Sequence, residues 1–241
     1  ATTEIYTLSL HDALPICRVI RITHTEDLLP KPVVDYIKNG SADQETPKSF
    51  PQNTYFLINT LPDSCKIAEQ VAREMGLNAV TLTTFLEGES REAGMFFASL
   101  AREIQTNSRP FSAPCVILAA GETTTKISDN AEIRGHGGPS HELVAAFALA
   151  ASKVPGACML SIDTEGTDGT TLYAGGLTDS KTAEAAKLAG IDLYEALRGH
   201  AVGEALVALN DAVFTGNTGT NLCDLNVLYV PAATSDRFKK S

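Results

Sequence analysis

Three loops rich in glycine and polar residues follow one another in the second half of the chain, each beside a short apolar run. The first reads Ala119-Ala120-Gly121-Glu122-Thr123-Thr124, with Arg134-Gly135-His136-Gly137-Gly138-Pro139-Ser140-His141-Glu142 close behind. The second reads Asp163-Thr164-Glu165-Gly166-Thr167-Asp168-Gly169-Thr170. The third reads Thr215-Gly216-Asn217-Thr218-Gly219-Thr220-Asn221-Leu222-Cys223-Asp224-Leu225. An apolar run that stops at such a loop reads as a strand ending in a turn. Glycines let backbone N–H groups face a bound anion, and nearby carboxylates can hold a divalent cation. One such loop is ordinary turn chemistry; three in this order make a pattern.

The apolar periodicity places these loops in an α/β fold. Residues 31–39 predict a short helix and 55–59 a strand. Asp63 is expected to cap a helix whose inner face is Ile67, Val71 and Met75, with Gly76 as its stop. Residues 79–83 read as a strand and 89–104 as a helix facing inward with Ala93, Phe97, Leu100 and Ile104. Residues 107–114 are a linker before a strand at 115–120. This strand–helix alternation predicts a parallel sheet with right-handed crossovers. Beyond it, a hairpin arm is expected at 122–128, and Ser140 is expected to cap a helix over 142–152. Strands follow at 157–162, 212–214 and 226–230, helices at 181–188, 193–198 and 202–209, and a frayed tail from 236.

Each loop has two readings. The Gly137-Gly138 turn before a helix is either an anion site or plain capping. Asp163 and Asp168 are either metal ligands at a strand end or turn-stabilising carboxylates. Thr218, Gly219, Thr220 and Asn221 can cradle a carboxylate or phosphate, or Asp224 only caps the turn. Glu142 sits in the first turn of its helix, where it favours the dipole or a metal and repels an anion. His136 and His141 lack partner ligands for zinc, and Cys223 reads as a small buried residue. No Walker A loop is present, and no Gly-x-Gly-x-x-Gly follows a strand.

A formal charge of −10 over 241 residues argues against nucleic acid as a general partner. No run is long enough to span a bilayer, so no membrane partner is expected. The five cysteines lie far apart, without Cys-x-x-Cys, and read as reduced thiols of a cytoplasmic protein.

The loops resemble those of the bacterial and archaeal glycerate 2-kinases, which end in a MOFRL domain. That family carries Gly-Gly-Glu-Thr-Thr at a strand end, then Gly-Gly-Arg-Asn-Gln-Glu opening a helix. A Thr-Asp-Gly-x-Asp-Gly loop and Thr-Gly-Pro-Thr-Gly-Thr-Asn-x-x-Asp-Leu follow. Here Ala120, Glu165, Asn217 and Cys223 depart from the pattern, and Pro139, Ser140 and His141 replace Arg, Asn and Gln. The resemblance implies a kinase that moves the γ-phosphoryl of ATP to the 2-hydroxyl of D-glycerate, with Mg2+ at Asp163 and Asp168. It implies that Gly121, Glu122, Gly137, Gly138, Glu142, Gly169 and the Asn217–Asn221 turn bind substrate or nucleotide. Arg134 is expected to take over the anion contact of the Arg that Pro139 replaces. Two other readings stay open: an oxidoreductase acting on hydroxypyruvate, and a non-catalytic domain that binds a small acid.

Residues 1–16 resemble the translation of a sequencing-adapter oligonucleotide and are set aside as non-native. The chain is therefore expected to be the C-terminal portion of a longer kinase. Residues 17–114 would close a first, Rossmann-like domain, a parallel-sheet α/β/α remnant. A MOFRL-like α/β domain would span 115–235, with a tail at 236–241. By the resemblance, the preceding segment carries a glycine-rich loop and a catalytic lysine and is a partner of this chain, which is expected to be inactive alone. A homodimer is left open.

Overall fold

The structure is a computed structural model that describes residues 13–39, 47, 49–127 and 132–233. Most of the set-aside segment and the expected tail from 236 lie outside the described residues. The chain divides into two units, residues 2–57 and 58–241.

In the smaller unit, α1 (Ala13–Ile22) and α2 (Lys31–Asn39) pack together across a 3-10 turn at Glu26–Leu28. Lys38 pairs with Glu26. The helix over 31–39 is α2, whereas α1 was not foreseen. The strand expected at 55–59 does not form, and Tyr55, Phe56, Leu57 and Ile58 are exposed. An apolar run becomes a strand only beside another strand that takes up its backbone N–H and C=O groups.

The larger unit holds α3 (Leu61–Glu74), β1 (Asn78–Leu86), α4 (Ser90–Asn107), β2 (Cys115–Gly121), α5 (Pro139–Ala150), β3 (Cys158–Asp163) and β4 (Gly175–Asp179). It continues through α6 (Thr182–Leu188), α7 (Leu193–Arg198), α8 (Val202–Leu209), β5 (Ala212–Val213) and β6 (Asp224–Val230). The six strands form one sheet in the order β1-β2-β6-β3-β4-β5. The α/β class holds, but the sheet is mixed. Only β1 and β2 are parallel; every other pair is antiparallel. A parallel pair needs a crossover, which α4 supplies, whereas the antiparallel pairs do not. The parallel β1–β2 pair spans positions 114 and 115, between which the domain boundary was expected.

All seven residues of β2 are buried, as expected of a strand covered on both faces. On one face Cys115, Ile117 and Ala119 meet α4 and α5 through Phe97, Ile104, Leu143 and Phe147. On the other, Val116 and Leu118 pack with Ala72 and Ala79, and Ala68 closes the contact.

Two helix starts differ from expectation. At α3, Thr60 is the cap, and its hydroxyl accepts the Asp63 N–H at 3.3 Å. The buried face is Leu61, Cys65 and Ala72; Ile67, Val71 and Met75 are 60%, 50% and 72% exposed. Small side chains let the helix lie close on the sheet, so the larger stripe is turned out. At α5, Gly138 is the N-cap and Pro139 takes the first helical position, where its missing N–H costs nothing. Residues 122–127 form no hairpin; Thr124 instead bridges in parallel to Glu89. The β4 strand was not foreseen, because its Gly175-Gly176 start reads as a turn. Among the described residues no helix is long and apolar enough to cross a membrane.

Candidate functional site

Sheet register sets the site. Asp224, the first residue of β6, stands opposite both Gly121, the last of β2, and Asp163, the last of β3. Three strand ends thus lie side by side, and the loops that leave them are hydrogen-bonded together. Thr218 Oγ1 donates to the Thr164 carbonyl at 2.5 Å, and Thr218 N to the Glu165 carbonyl at 3.1 Å. The Asn221 amide donates to Glu165 Oε2 at 2.9 Å, and Leu222 N to Thr164 Oγ1 at 2.7 Å. Thr170 N donates to the Gly137 carbonyl at 3.0 Å. The loops touch through glycines. A Cβ on Gly169, at φ +58°, would overlap the Gly137 carbonyl, and one on Gly166, at φ +100°, would overlap that of Gly216.

Asp168 is the link between the second loop and α5. It is buried, and its two oxygens accept from Ser140 N at 3.2 Å and His141 N at 2.9 Å. Its Oδ2 also contacts Nδ1 of the buried His141. Asp168 is therefore the side-chain cap of α5, and the role expected of Ser140 passes to it. Asp163 Oδ1 accepts from Glu165 N at 2.9 Å. Burial raises the Asp163 pKa above its ordinary value, the Glu165 amide opposes this, and the charges of Glu165, Asp168 and Glu122 add to it. Burial, followed by the charges of Asp168 and Asp163, pushes the Asp224 carboxyl up to about 8.

Two expected ligand contacts are placed elsewhere. Glu142, 1% exposed, is enclosed in an ion network. Arg91 Nε donates to Glu142 Oε2 at 2.6 Å, and His200 Nδ1 lies 2.7 Å from Oε1. Arg134 pairs with Glu132 at 2.8 Å and Glu195 at 3.2 Å, and its backbone N–H bonds to Gly199. Its guanidinium is held by those carboxylates instead of joining the loops. Gly121 and Glu122 sit at the β2 exit, where Glu122 N donates to the Leu86 carbonyl at 2.9 Å and Cys223 Sγ lies 3.6 Å from Glu122 Oε2. The third loop is exposed, with Asn217 accepting from Gly219 N and Asn221 from Cys223 N.

Beneath the loops lies a polar interior. Buried side-chain polar groups normally find partners. Among the described residues, the exceptions include Ser90 Oγ, Thr123 Oγ1, His141 Nε2, Asp224 Oδ2 and both amide atoms of Asn226. All belong to the starts of α4, α5 and β6 or to the β2 exit. Asn226 and Ser161 are register partners, and Ser161 Oγ donates to Ser140 Oγ at 2.9 Å. No three His, Cys, Asp or Glu side chains among the described residues form a metal cage. Of the carboxylates at the strand ends and loops, Asp224 Oδ2 is unpartnered and could take a cation, while Asp168 is committed to α5.

Sequence reasoning missed Arg91, His200 and Asn226. The Glu87-Gly88-Glu89 turn before α4 was the available signal for Arg91.

The MOFRL family profile matches residues 115–224. A D-glycerate 2-kinase of Thermotoga maritima is 38% identical over 182 residues, covering 76% of this chain and 43% of its own length. The crystal structure of a glycerate kinase from Thermotoga maritima superposes with a TM-score of 0.75 at 34% identity, over 92% of this chain and 50% of that one. The chain is a glycerate kinase family member with a MOFRL domain. A glycerate 2-kinase of Pyrococcus horikoshii is 33% identical over 223 residues, 91% of this chain and 49% of its own. The chain spans about half the length of the curated relatives it matches. The MOFRL match opens on the first residue of β2 and closes on the first of β6, so it takes in all three loops but for Leu225.

Proposed function

We propose that this chain is the portion of a glycerate 2-kinase that binds the reacting anions during transfer of the ATP γ-phosphoryl to the 2-hydroxyl of D-glycerate, giving 2-phosphoglycerate. The observation that carries this is the convergence of three loops on one sheet edge over buried, unpartnered polar groups. Phosphoryl transfer asks a protein for positioning and charge neutralisation more than for covalent chemistry. Exposed loop amides and hydroxyls suit phosphate and carboxylate oxygens. Asp163 and Asp224 would hold a divalent cation, with nucleotide phosphates completing its shell. Such an ion neutralises charge developing on the phosphoryl group. Asp168 keeps the second loop fixed to α5 while substrate binds. In this reading residues 17–114 finish a first domain, 115–235 form the MOFRL-like domain, and the work is cytoplasmic.

The test is an ADP-release assay with ATP, Mg2+ and D-glycerate, run on this chain and on a fusion to the N-terminal half of the Thermotoga maritima relative. The fusion is expected to turn over within the ordinary enzyme range of ~1–1000 per second and the chain alone not measurably. A silent fusion that oxidises NADH with hydroxypyruvate would replace the kinase reading by the reductase one.

A further inference from the structure

The buried network around Glu142 leaves hydrogen-bond donors unspent, and their position is informative. A carboxylate oxygen carries no hydrogen when it accepts from Arg91, so His200 Nδ1, 2.7 Å from Glu142 Oε1, carries the hydrogen of that contact. The same nitrogen lies 3.0 Å from Arg91 Nη2. A nitrogen already donating in the ring plane has no lone pair for a second donor, so Nη2 gains no bond there. Arg91 thus spends Nε on Glu142 and keeps its outer donors. Glu89 forms only a long ion pair with it, Oε1 lying 4.0 Å from Nε. The side chain is 26% exposed, whereas Glu142 beneath it is 1% exposed. One buried carboxylate therefore anchors a partly exposed arginine side chain.

The turn that carries Arg91 also holds unpartnered donors. Arg91 is the second residue of α4, an 18-residue helix whose cap, Glu89, makes no side-chain cap bond. Ser90 N donates to the Thr124 carbonyl and Ala93 N to that of Glu89, which leaves the amides of Arg91 and Glu92 as open donors of the first turn. Ser90 and Thr123, 0% and 2% exposed, have hydroxyls without partners. A guanidinium, helix amides and two unpartnered hydroxyls share one need, an oxyanion.

We infer that Arg91 and the first turn of α4 form an anion-binding subsite, which takes the phosphate or carboxylate group of a reactant. Glu142 and His200 are positioning residues that hold the guanidinium in place. The inference rests on the phosphoryl-transfer reading only for the source of the anion.

Titration of the isotope-labelled chain with inorganic phosphate and, separately, D-glycerate, followed by NMR at the amides of Ser90, Arg91 and Glu92, tests it. Saturable shifts are expected with at least one probe; the tighter of the two identifies the group. Arg91→Gln should weaken that probe by ~10- to 100-fold, the usual worth of a charged hydrogen bond. The double variant Arg91→Gln/Glu142→Gln, which leaves no orphaned buried charge, should show the same loss. Arg91→Lys should lose less, and Arg109→Gln, at an exposed pair with Glu103, should lose nothing. Shifts absent with both probes, or unchanged affinity in a folded double variant, overturn the inference. In the fusion enzyme, turnover with an unaltered KM and kcat in Arg91→Gln sinks the subsite and spares the kinase reading. Anion binding lost in Arg91→Gln, together with no phosphoryl transfer, does the reverse.

Discussion

The two ends of the central sheet are built from the same strands and face the same helix layer, α4 and α5, yet they differ in kind. Along the face that meets α4 and α5, β6 runs from Val230 and Leu228 to Asn226 and Asp224, and β3 from Met159 to Ser161 and Asp163. At one end the buried residues are apolar and closely packed. At the other, Ser161, Asn226 and Asp224 are equally buried and Asp163 is half-buried; all are polar, and some are unpartnered. Burial alone does not separate them; the balance of donors and acceptors does. An apolar end lowers the free energy of folding by leaving water, while a polar end at the same depth costs stability unless something satisfies it. A fold keeps such an end where a ligand or ion completes it.

The sharpest break in that contrast is expected at Leu228. Leu228→Ala opens a cavity at the apolar end and should cost about 2–5 kcal/mol in denaturant unfolding. Loss of less than 1 kcal/mol would mean that this end is not tightly packed.

The polar end should respond to pH instead. The carboxyl of Asp224 is raised from its ordinary 3.8 to about 8 by folding, so the folded state holds its proton more firmly. Its contribution to stability is full below the ordinary value and is lost as pH rises through about 8. With EDTA present, stability should fall across that window by at most ~1.4 kcal/mol per pH unit. Asp224→Asn should flatten the slope, and an unchanged slope would assign it to another group.

Asp168→Ala removes the cap of α5 and should cost about 0.5–2 kcal/mol, read as a lower melting midpoint. The smallest effect belongs to the outer stripe of α3. Ile67→Ser should shift stability by less than about 0.5 kcal/mol, whereas Ala72→Leu, pressed against β1 and β2, should destabilise by ~1–3 kcal/mol. Equal costs would restore the stripe chosen from periodicity.

That stripe shows where sequence stops being sufficient. On α3, Ile67, Val71 and Met75 recur at helical spacing, but so do Leu61, Cys65, Ala68 and Ala72. Periodicity marks both faces, and size favours the wrong one; only the closeness of the sheet selects the small residues. The run at 55–59 fails for a related reason, because a strand's partner is not written in its own residues. Helices α7 and α8 were legible to the residue, since turn residues bound each of them. The loops were legible as loops because glycine and Asx chemistry is local. The Arg91–Glu142–His200 network was not, because its members stand 51 and 109 positions from Arg91. Nor does spacing reveal that Asp168 caps a helix that starts upstream of it.

The position of β6 in the sheet bears on how the protein is made. It lies between β2 and β3, yet of the six described strands it is the last to be synthesised. Until it emerges, the β1–β2 pair and the β3–β4–β5 sheet have no strand to join them. At ~5–20 residues per second, the roughly one hundred residues separating β2 from β6 leave that seam open for on the order of 5–20 s on the ribosome. Through that interval β2 presents a bare edge with apolar side chains on both faces, the kind of edge that other chains can pair with.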